Sequence, residues 1–173
     1  MRGIVNPSHP ETSKHTTIDG SLQIGGKALA AICSELKRLQ ADVVAMYIKT
    51  KNYHWHMIGL HFRDYYLLLD EQAGQLLAMT HPIAERSRTL GGDALRSIGD
   101  IARHQRVRDS DQEGLTPEAM LAELLADNIM LADNLRTAHV ISAQFGDVPT
   151  ASLFENWIDE TDRRTWFLRQ IGS

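Results

Sequence analysis

Apolar residues that recur every three or four positions constrain the fold of this chain most strongly. In the first such segment, roughly residues 26–59, the apolar stripe is Ile32, Leu36, Leu39, Val43 and Met46. These spacings place all five side chains on one side of an α-helix. Three further segments show the same period, and no run of alternating β-branched residues competes with them. The sequence therefore predicts an all-α protein with four long helices.

The second helical segment runs from Leu60 to Leu90 and stops at Gly91, because glycine favours the backbone conformation that ends a helix. Pro82 lies inside this segment and removes one backbone hydrogen bond, so we expect a bend there. The alternative is a break at residues 80–81 followed by a new helix. The apolar pattern continues in phase past Pro82, which favours one bent helix. The apolar residues of this segment are Leu67, Leu69, Leu76, Leu77, Ile83 and Leu90.

Two further helices and a long connection complete the pattern. The third helix is predicted to begin with Thr116 as N-cap and Pro117 as its first residue, and to end before Gly146. The fourth begins after residues 148–150 and runs to about Arg169. Residues 91–115 form a long connection between the second and third helices. Helical spacing within it predicts a short helix that contains Leu95, Ile98, Ile101 and Ala102. A four-helix bundle with such a crossover has ferritin-like topology.

Composition is that of a single globular domain. The chain has 173 residues, and its one cysteine, Cys33, allows no intrachain disulfide, which favours a reducing, cytoplasmic compartment. No apolar run approaches the ~20 residues that span a bilayer, so we expect no membrane association. Residues 1–21 are polar, lack the apolar core of a secretory signal and predict a mobile N-terminal tail before a domain at residues 22–170.

Side chains that bind metals recur at helical spacings in the second helix. Tyr66 and Asp70 are four residues apart, and so are His81 and Glu85, while Asp70 and His81 are eleven apart, close to three turns. All four therefore share one face. A single histidine or aspartate on a helix is more often an ordinary surface residue, so the prediction rests on the combined stripe. Carboxylate and imidazole ligands suit Fe(II), Mn(II) or Zn(II).

Several ordered motifs resemble the Dps family, the DNA-binding proteins from starved cells, which are mini-ferritins. The motifs lie at residues 51–56 (Lys-Asn-Tyr-His-Trp-His), 62–65, 67–72, 83–86, 90–92, 157–161 and 164–166. The resemblance covers about residues 22–170 and implies a ferritin-like bundle assembled as a hollow homododecamer. It further implies ferroxidase centres at two-fold interfaces, oxidation of Fe(II) mainly by hydrogen peroxide, and storage of ferric mineral that protects a bacterial cell from oxidative damage.

The resemblance also implies roles for individual residues. His54, Asp70 and Glu85 match the family's site histidine, aspartate and bridging glutamate. By this match His54 acts across a dimer interface from Asp70 and Glu85 of the partner subunit. Trp55 matches the tryptophan beside the centre, which can donate an electron and limit radical chemistry. The alternative interpretation is that Trp55 is a core aromatic residue, and one residue can have both roles.

Two positions depart from the family pattern. Tyr66 stands where the family has a second histidine, and His81 stands where it has an aspartate. A phenol with an ordinary pKa near 10 is a poor ligand for Fe(II). The better site then consists of His54, His81 and Glu85, a set that suits Fe(II) but also Zn(II), which is redox-inert and would inhibit oxidation. We therefore expect one tight and one weak metal site.

Acidic residues of the fourth helix predict a route for iron. Glu155, Asp159 and Asp162 follow a spacing of four and three and share one face. By the resemblance this region lines three-fold pores, where carboxylates would attract cations. The alternative is an exposed face whose acids pair with Arg163 and Arg164.

Nucleic-acid binding is expected to be weak or absent. The formal net charge of the chain is −4, and DNA affinity scales with cationic contacts. The charged and titratable residues of the tail are Arg2, Lys14, Glu11, Asp19, His9 and His15. The role of the two tail histidines stays open. Two other functions remain: a cage that shields DNA or sequesters zinc with little turnover, and a structural cage whose site has decayed.

Overall fold

Five helices make up the part of the chain that the structure, a computed structural model, describes, which is residues 25–171. They are α1 Gly26–His56, α2 Phe62–Thr89, α3 Ile98–His104, α4 Pro117–Gln144 and α5 Val148–Ile171. No strand occurs between residues 25 and 171. The predicted all-α, ferritin-like bundle is confirmed. The predicted tail at residues 1–21 lies outside the described residues.

The helix ends follow the signals in the sequence. The side-chain oxygen of Thr116 accepts a hydrogen bond from the backbone N–H of Ala119 at 3.3 Å, as an N-cap does. Gly91, just after α2, has a φ of 82°, and Gly146, after α4, has a φ of 73°, the left-handed conformation that glycine adopts without strain. α1 ends at His56, before the predicted limit near residue 59.

α2 passes through Pro82 without interruption, so the alternative of a break at residues 80–81 is wrong. The predicted crossover helix is confirmed as α3, although Leu95 precedes it. Ser97 caps α3 by accepting a hydrogen bond from the backbone N–H of Asp100 at 3.1 Å. The Asp100 carboxylate lies 3.3 Å from the ammonium of Lys37 on α1, which fixes the crossover to the bundle.

The core lies where α1 packs against α2 and α4, and α4 packs against α5. All five residues of the predicted α1 stripe are at most 1% exposed. On α2, Leu69, Leu76 and Ile83 are buried as expected. Leu67 and Leu77 are about half exposed, because both lie outside the stripe that these three residues form at intervals of seven positions. Between residues 25 and 171, no helix combines the length and apolar character needed to cross a lipid bilayer.

Candidate metal centre

His54 is held in the orientation of a metal ligand. Its side chain is 3% exposed, in the last turn of α1. The imidazole Nδ1 lies 2.9 Å from the backbone carbonyl oxygen of Tyr66. Because a carbonyl oxygen only accepts hydrogen bonds, Nδ1 is the protonated nitrogen whenever the imidazole is neutral, and Nε2 then has its lone pair available. Metal-binding histidines are commonly fixed in this way by a backbone carbonyl.

Asp70 lies one turn after Tyr66 on α2, on the side of the helix that faces His54. Its Oδ1 is 2.7 Å from the ammonium of Lys51, and its side chain is 59% exposed. The hydrogen bond and charge of Lys51 lower the pKa of the Asp70 carboxyl, and His54 adds to that effect. His54 therefore lies near Asp70 of its own chain. The arrangement expected from the resemblance, in which Asp70 of the partner subunit faces His54, stays a prediction.

His81 and Glu85 form a second pair further along α2. The imidazole Nε2 of His81 lies 3.1 Å from Oε1 of Glu85, and the two side chains are 78% and 67% exposed. The next residue, Arg86, turns inward, where its Nη2 lies 2.6 Å from the fully buried Asp147 carboxylate. That buried ion pair sets the rotation of α2, so that Glu85 faces outward with His81.

One chain presents two separate sets of metal-binding side chains. Eleven residues from Asp70 to His81 correspond to a rise of about 16 Å along a helix. Within residues 25–171, no three His, Cys, Asp or Glu side chains come close enough to hold one metal ion. The first set is His54 with Asp70, and the second is His81 with Glu85. Neither set by itself supplies three such ligands.

An exposed apolar face surrounds the first set. Trp55 is 63% exposed and Leu60 is 95% exposed, while the Lys51 ammonium lies 5.8 Å from the Trp55 ring centroid. Trp55 is therefore no core aromatic within one chain. The other large apolar residues of this face, which comprises the end of α1 and the start of α2, are Ile48, Ile58, Phe62 and Leu67. Contiguous apolar surface of this kind indicates a protein interface.

A buried polar network lies beside His54, and the sequence alone did not predict it. The Lys49 ammonium lies 3.0 Å from Glu123 Oε2 and 2.8 Å from Asp127 Oδ2. Tyr53 donates its hydroxyl to Glu123, which lowers the pKa of the Glu123 carboxyl. Burial raises the pKa of Asp127. The sequence did contain a signal for this network. Lys49 and Tyr53 are four residues apart and so share a helix face, and the same is true of Glu123 and Asp127.

The three acids expected at an iron pore are each paired with a cationic or titratable partner. The pairs are Glu155 with His139 at 3.1 Å, Asp159 with Arg163 at 3.0 Å, and Asp162 with Arg136 at 2.7 Å. Arg164 is 2% exposed and lies inside the bundle. The alternative predicted that the acids pair with Arg163 and Arg164. Asp159 does pair with Arg163, but the predicted pairing with Arg164 is wrong.

Comparison with known proteins decides the family. Residues 33–172 match the model of the ferritin-like domain. Antigen TyF1 of Treponema pallidum subsp. pertenue is 30% identical over 82% of this chain and 80% of its own length. The X-ray structure of Dps from Thermosynechococcus elongatus has a TM-score of 0.82 and 31% identity, covering 85% of this chain and 93% of that one. The chain belongs to the Dps family of mini-ferritins.

A further Dps-family relative is DNA protection during starvation protein 1 of Deinococcus radiodurans, which is 27% identical over 84% of this chain and 70% of its own length. Membership of the Dps family supports a general role in iron storage and in protection against oxidative damage. It also supports ferroxidase activity as the general activity of the family.

Proposed function

We propose that this Dps-family protein oxidises Fe(II) at centres between two subunits, prefers hydrogen peroxide as oxidant, and stores ferric mineral inside a hollow homododecamer. The observation that carries the proposal is the fixed orientation of His54, whose Nε2 is free while its Nδ1 donates to the Tyr66 carbonyl. The exposed apolar face around Trp55 supports the pairing of two chains at this point.

In the proposed centre, His54 of one protomer and the His81–Glu85 pair of its partner hold the first Fe(II). Imidazole and carboxylate donors fit Fe(II). Asp70 holds a second, weaker Fe(II), because its carboxylate must first leave the Lys51 ammonium at 2.7 Å. Tyr66 offers only a phenol where the family has an imidazole, which also weakens the second position.

The redox step balances with two iron ions. Each Fe(II) loses one electron, and hydrogen peroxide accepts both electrons and two protons to give two water molecules. Oxidation of a single Fe(II) supplies only one of the two electrons that hydrogen peroxide needs. The second electron must then come from the protein, because one-electron reduction would release a hydroxyl radical. Trp55, exposed beside His54, is the proposed donor of that electron.

Anaerobic calorimetric titration of the full-length protein with Fe(II) tests the centre. His54→Asn should weaken the tighter site by at least about 10-fold, because loss of even a hydrogen-bond partner of a metal ligand costs about 10- to 100-fold. His56→Asn is the matched control, since His56 Nδ1 also lies against a backbone carbonyl, that of Asn52 at 2.8 Å. Equal losses in the two variants contradict the proposal.

The proposed pore is tested separately from the centre. Asp159→Asn should slow Fe(II) uptake while anaerobic binding at the centre stays unchanged. Asp93→Asn is the control, because Asp93 is also exposed and lies 2.9 Å from an arginine, Arg96. Unchanged uptake in the Asp159 variant, or the same loss in the control, rules out this carboxylate as part of the route.

A zinc-sequestering cage is the second candidate, favoured by the two-histidine donor set of His54, His81 and Glu85. Competition between Zn(II) and Fe(II) for the centre, measured by metal analysis after dialysis, separates the two: Zn(II) that stays bound against excess Fe(II) favours sequestration, and its replacement by Fe(II) favours oxidation and storage of iron. Weak or absent DNA binding stays a prediction, and a gel shift at ~0.15 M salt checks it. A cytoplasmic location likewise stays a prediction.

A further inference from the structure

A buried arginine without an acidic partner lies between α2 and α5. Arg164 is 2% exposed, and the hydrogen bonds of its guanidinium go to neutral groups, with the charge of Glu160 acting on it without forming an ion pair. Its Nε donates to Asn128 Oδ1 at 3.0 Å and its Nη2 to Thr161 Oγ1 at 2.7 Å, with Met79 Sδ at 3.9 Å. Among residues 25–171, no carboxylate forms an ion pair with Arg164, and burial lowers the pKa of its guanidinium to about 10. The side chain thus remains a cation at neutral pH.

Two buried donors near this charge have no hydrogen-bond partner. They are Nη1 of Arg164 and Nε2 of Gln72, and both are shielded from solvent. Gln72 itself is 2% exposed. A buried donor without an acceptor destabilises the folded protein, and an unpaired buried charge does so more strongly. A negatively charged acceptor within reach of both nitrogens would offset both costs.

Both residues line the same cavity. Its volume is about 50 Å³, and its remaining walls come from Leu68, Glu71, Gln75, Arg163 and Phe167. This space is enough for about three or four water molecules, or for one small inorganic anion. Glu71 and Gln75 stand at the rim, joined by a hydrogen bond of 3.1 Å from Gln75 Nε2 to Glu71 Oε1.

We propose that the cavity between α2 and α5 binds a small inorganic anion through Arg164 Nη1 and Gln72 Nε2. The ligand class is a halide or a compact oxyanion such as phosphate or sulfate. Rotation of the Gln75 and Glu71 side chains at the rim opens the path to the two nitrogens. Arg163 adds a second positive charge at the mouth, partly offset by its pairing with Asp159 at 3.0 Å. The site is independent of the proposed metal centre.

Thermal unfolding of the full-length protein tests the site in solution. Titration with sodium chloride, phosphate or sulfate at ionic strength held constant with gluconate should raise Tm in a saturable way, by about 5 °C at a 100-fold excess over Kd. Gln72→Leu removes one donor at nearly constant volume and should abolish most of this shift. Gln170→Leu, an exposed position on the same helix as Arg164, is the control and should keep the full shift. An equal shift in the Gln72→Leu variant and the unaltered protein overturns the proposal.

Anomalous diffraction from crystals soaked in bromide or selenate identifies the occupant. A peak within hydrogen-bond distance of Arg164 Nη1 and Gln72 Nε2 supports the site, and the anion that gives it distinguishes a halide site from an oxyanion site. A cavity that holds water alone with either salt, or one filled by the Glu71 carboxylate, overturns the proposal.

Discussion

The ring of Tyr66 lies against the ring of His54, with 3.7 Å between centroids and an interplanar angle of 31°. The backbone carbonyl of Tyr66 also accepts the hydrogen bond from His54 Nδ1. Neither contact involves the phenol oxygen. Tyr66 therefore positions the histidine, although it occupies the place at which the family has a second imidazole.

Two substitutions at Tyr66 separate positioning from metal binding. Tyr66→Phe keeps the ring and the carbonyl, so the affinity for Fe(II) should change by less than about twofold, far below the tenfold or more expected on loss of a ligand. Tyr66→His supplies a second imidazole and should tighten the weaker site and speed peroxide-driven oxidation. Anaerobic titration and stopped-flow absorbance measure these effects. A tenfold loss of Fe(II) affinity in the Tyr66→Phe variant would identify the phenol as a ligand. Unchanged affinity and oxidation rate in the Tyr66→His variant would exclude Tyr66 as the cause of the weak site.

His81→Asp should shift metal preference from zinc towards iron. The change replaces a neutral imidazole with a carboxylate, which restores a hard ligand and one negative charge that retains Fe(III). Competition between Zn(II) and Fe(II), measured by metal analysis after dialysis, reports the preference. Gln144→Asp, which also adds one negative charge but at an exposed position outside the proposed sites, is the control. An equal shift in both variants means that the change in preference does not arise at the centre.

Lys51→Met should strengthen the second metal site at pH 7. The Lys51 ammonium holds the pKa of the Asp70 carboxyl below its ordinary value and occupies the same oxygen that a metal would need. Its removal should raise the pKa of Asp70 towards the ordinary value, as followed by NMR, and increase the Fe(II) affinity of the weaker site in calorimetry. Lys27→Met, at the exposed start of α1, is the control. A higher pKa with unchanged affinity would exclude Asp70 as a ligand.

Tyr53→Phe should make the protein less stable by about 1 kcal/mol at neutral pH, the typical contribution of one hydrogen bond. The Tyr53 hydrogen bond lowers the pKa of Glu123 in the folded protein below its ordinary 4.5. A lowered folded pKa gives stability that is present above the unfolded value and is lost as pH falls through the folded one. The difference from the unaltered protein should thus shrink below about pH 4.5.

Denaturant unfolding at pH 7 and at pH 3 checks this dependence, with Tyr47→Phe on the same helix as control. A destabilisation that stays the same at both pH values would mean that the Tyr53 hydroxyl acts on something other than the Glu123 carboxylate.

The bundle was predictable because its signals are local. The α1 stripe that begins at Ile32, the cap at Thr116 and the stop at Gly91 depend on residues only a few positions apart. Contacts between distant residues were not predictable in this way. The pairing of Lys51 with Asp70, 19 positions away, depends on how α1 and α2 pack. The burial of Arg164 was likewise missed, because its neighbours in sequence are charged and predict an exposed face.

The candidate site was predictable in its residues and only partly in its arrangement. Helical spacing placed Asp70, His81 and Glu85 on one face of α2, but spacing cannot state which ligands of one chain are close enough to share an ion. The structure separates His54 and Asp70 from His81 and Glu85, and within residues 25–171 neither pair meets a third ligand. The division follows from the length of α2, since about three turns separate the two sets.

Anomalous diffraction at the iron and zinc edges, on crystals of the full-length protein grown with each metal in turn, is the decisive measurement for a centre shared by two subunits. We expect a peak bonded to Nε2 of His54 from one protomer and to the carboxylate of Glu85 of the partner subunit. An empty pocket between paired subunits, or a metal ion held by one chain alone, would contradict it.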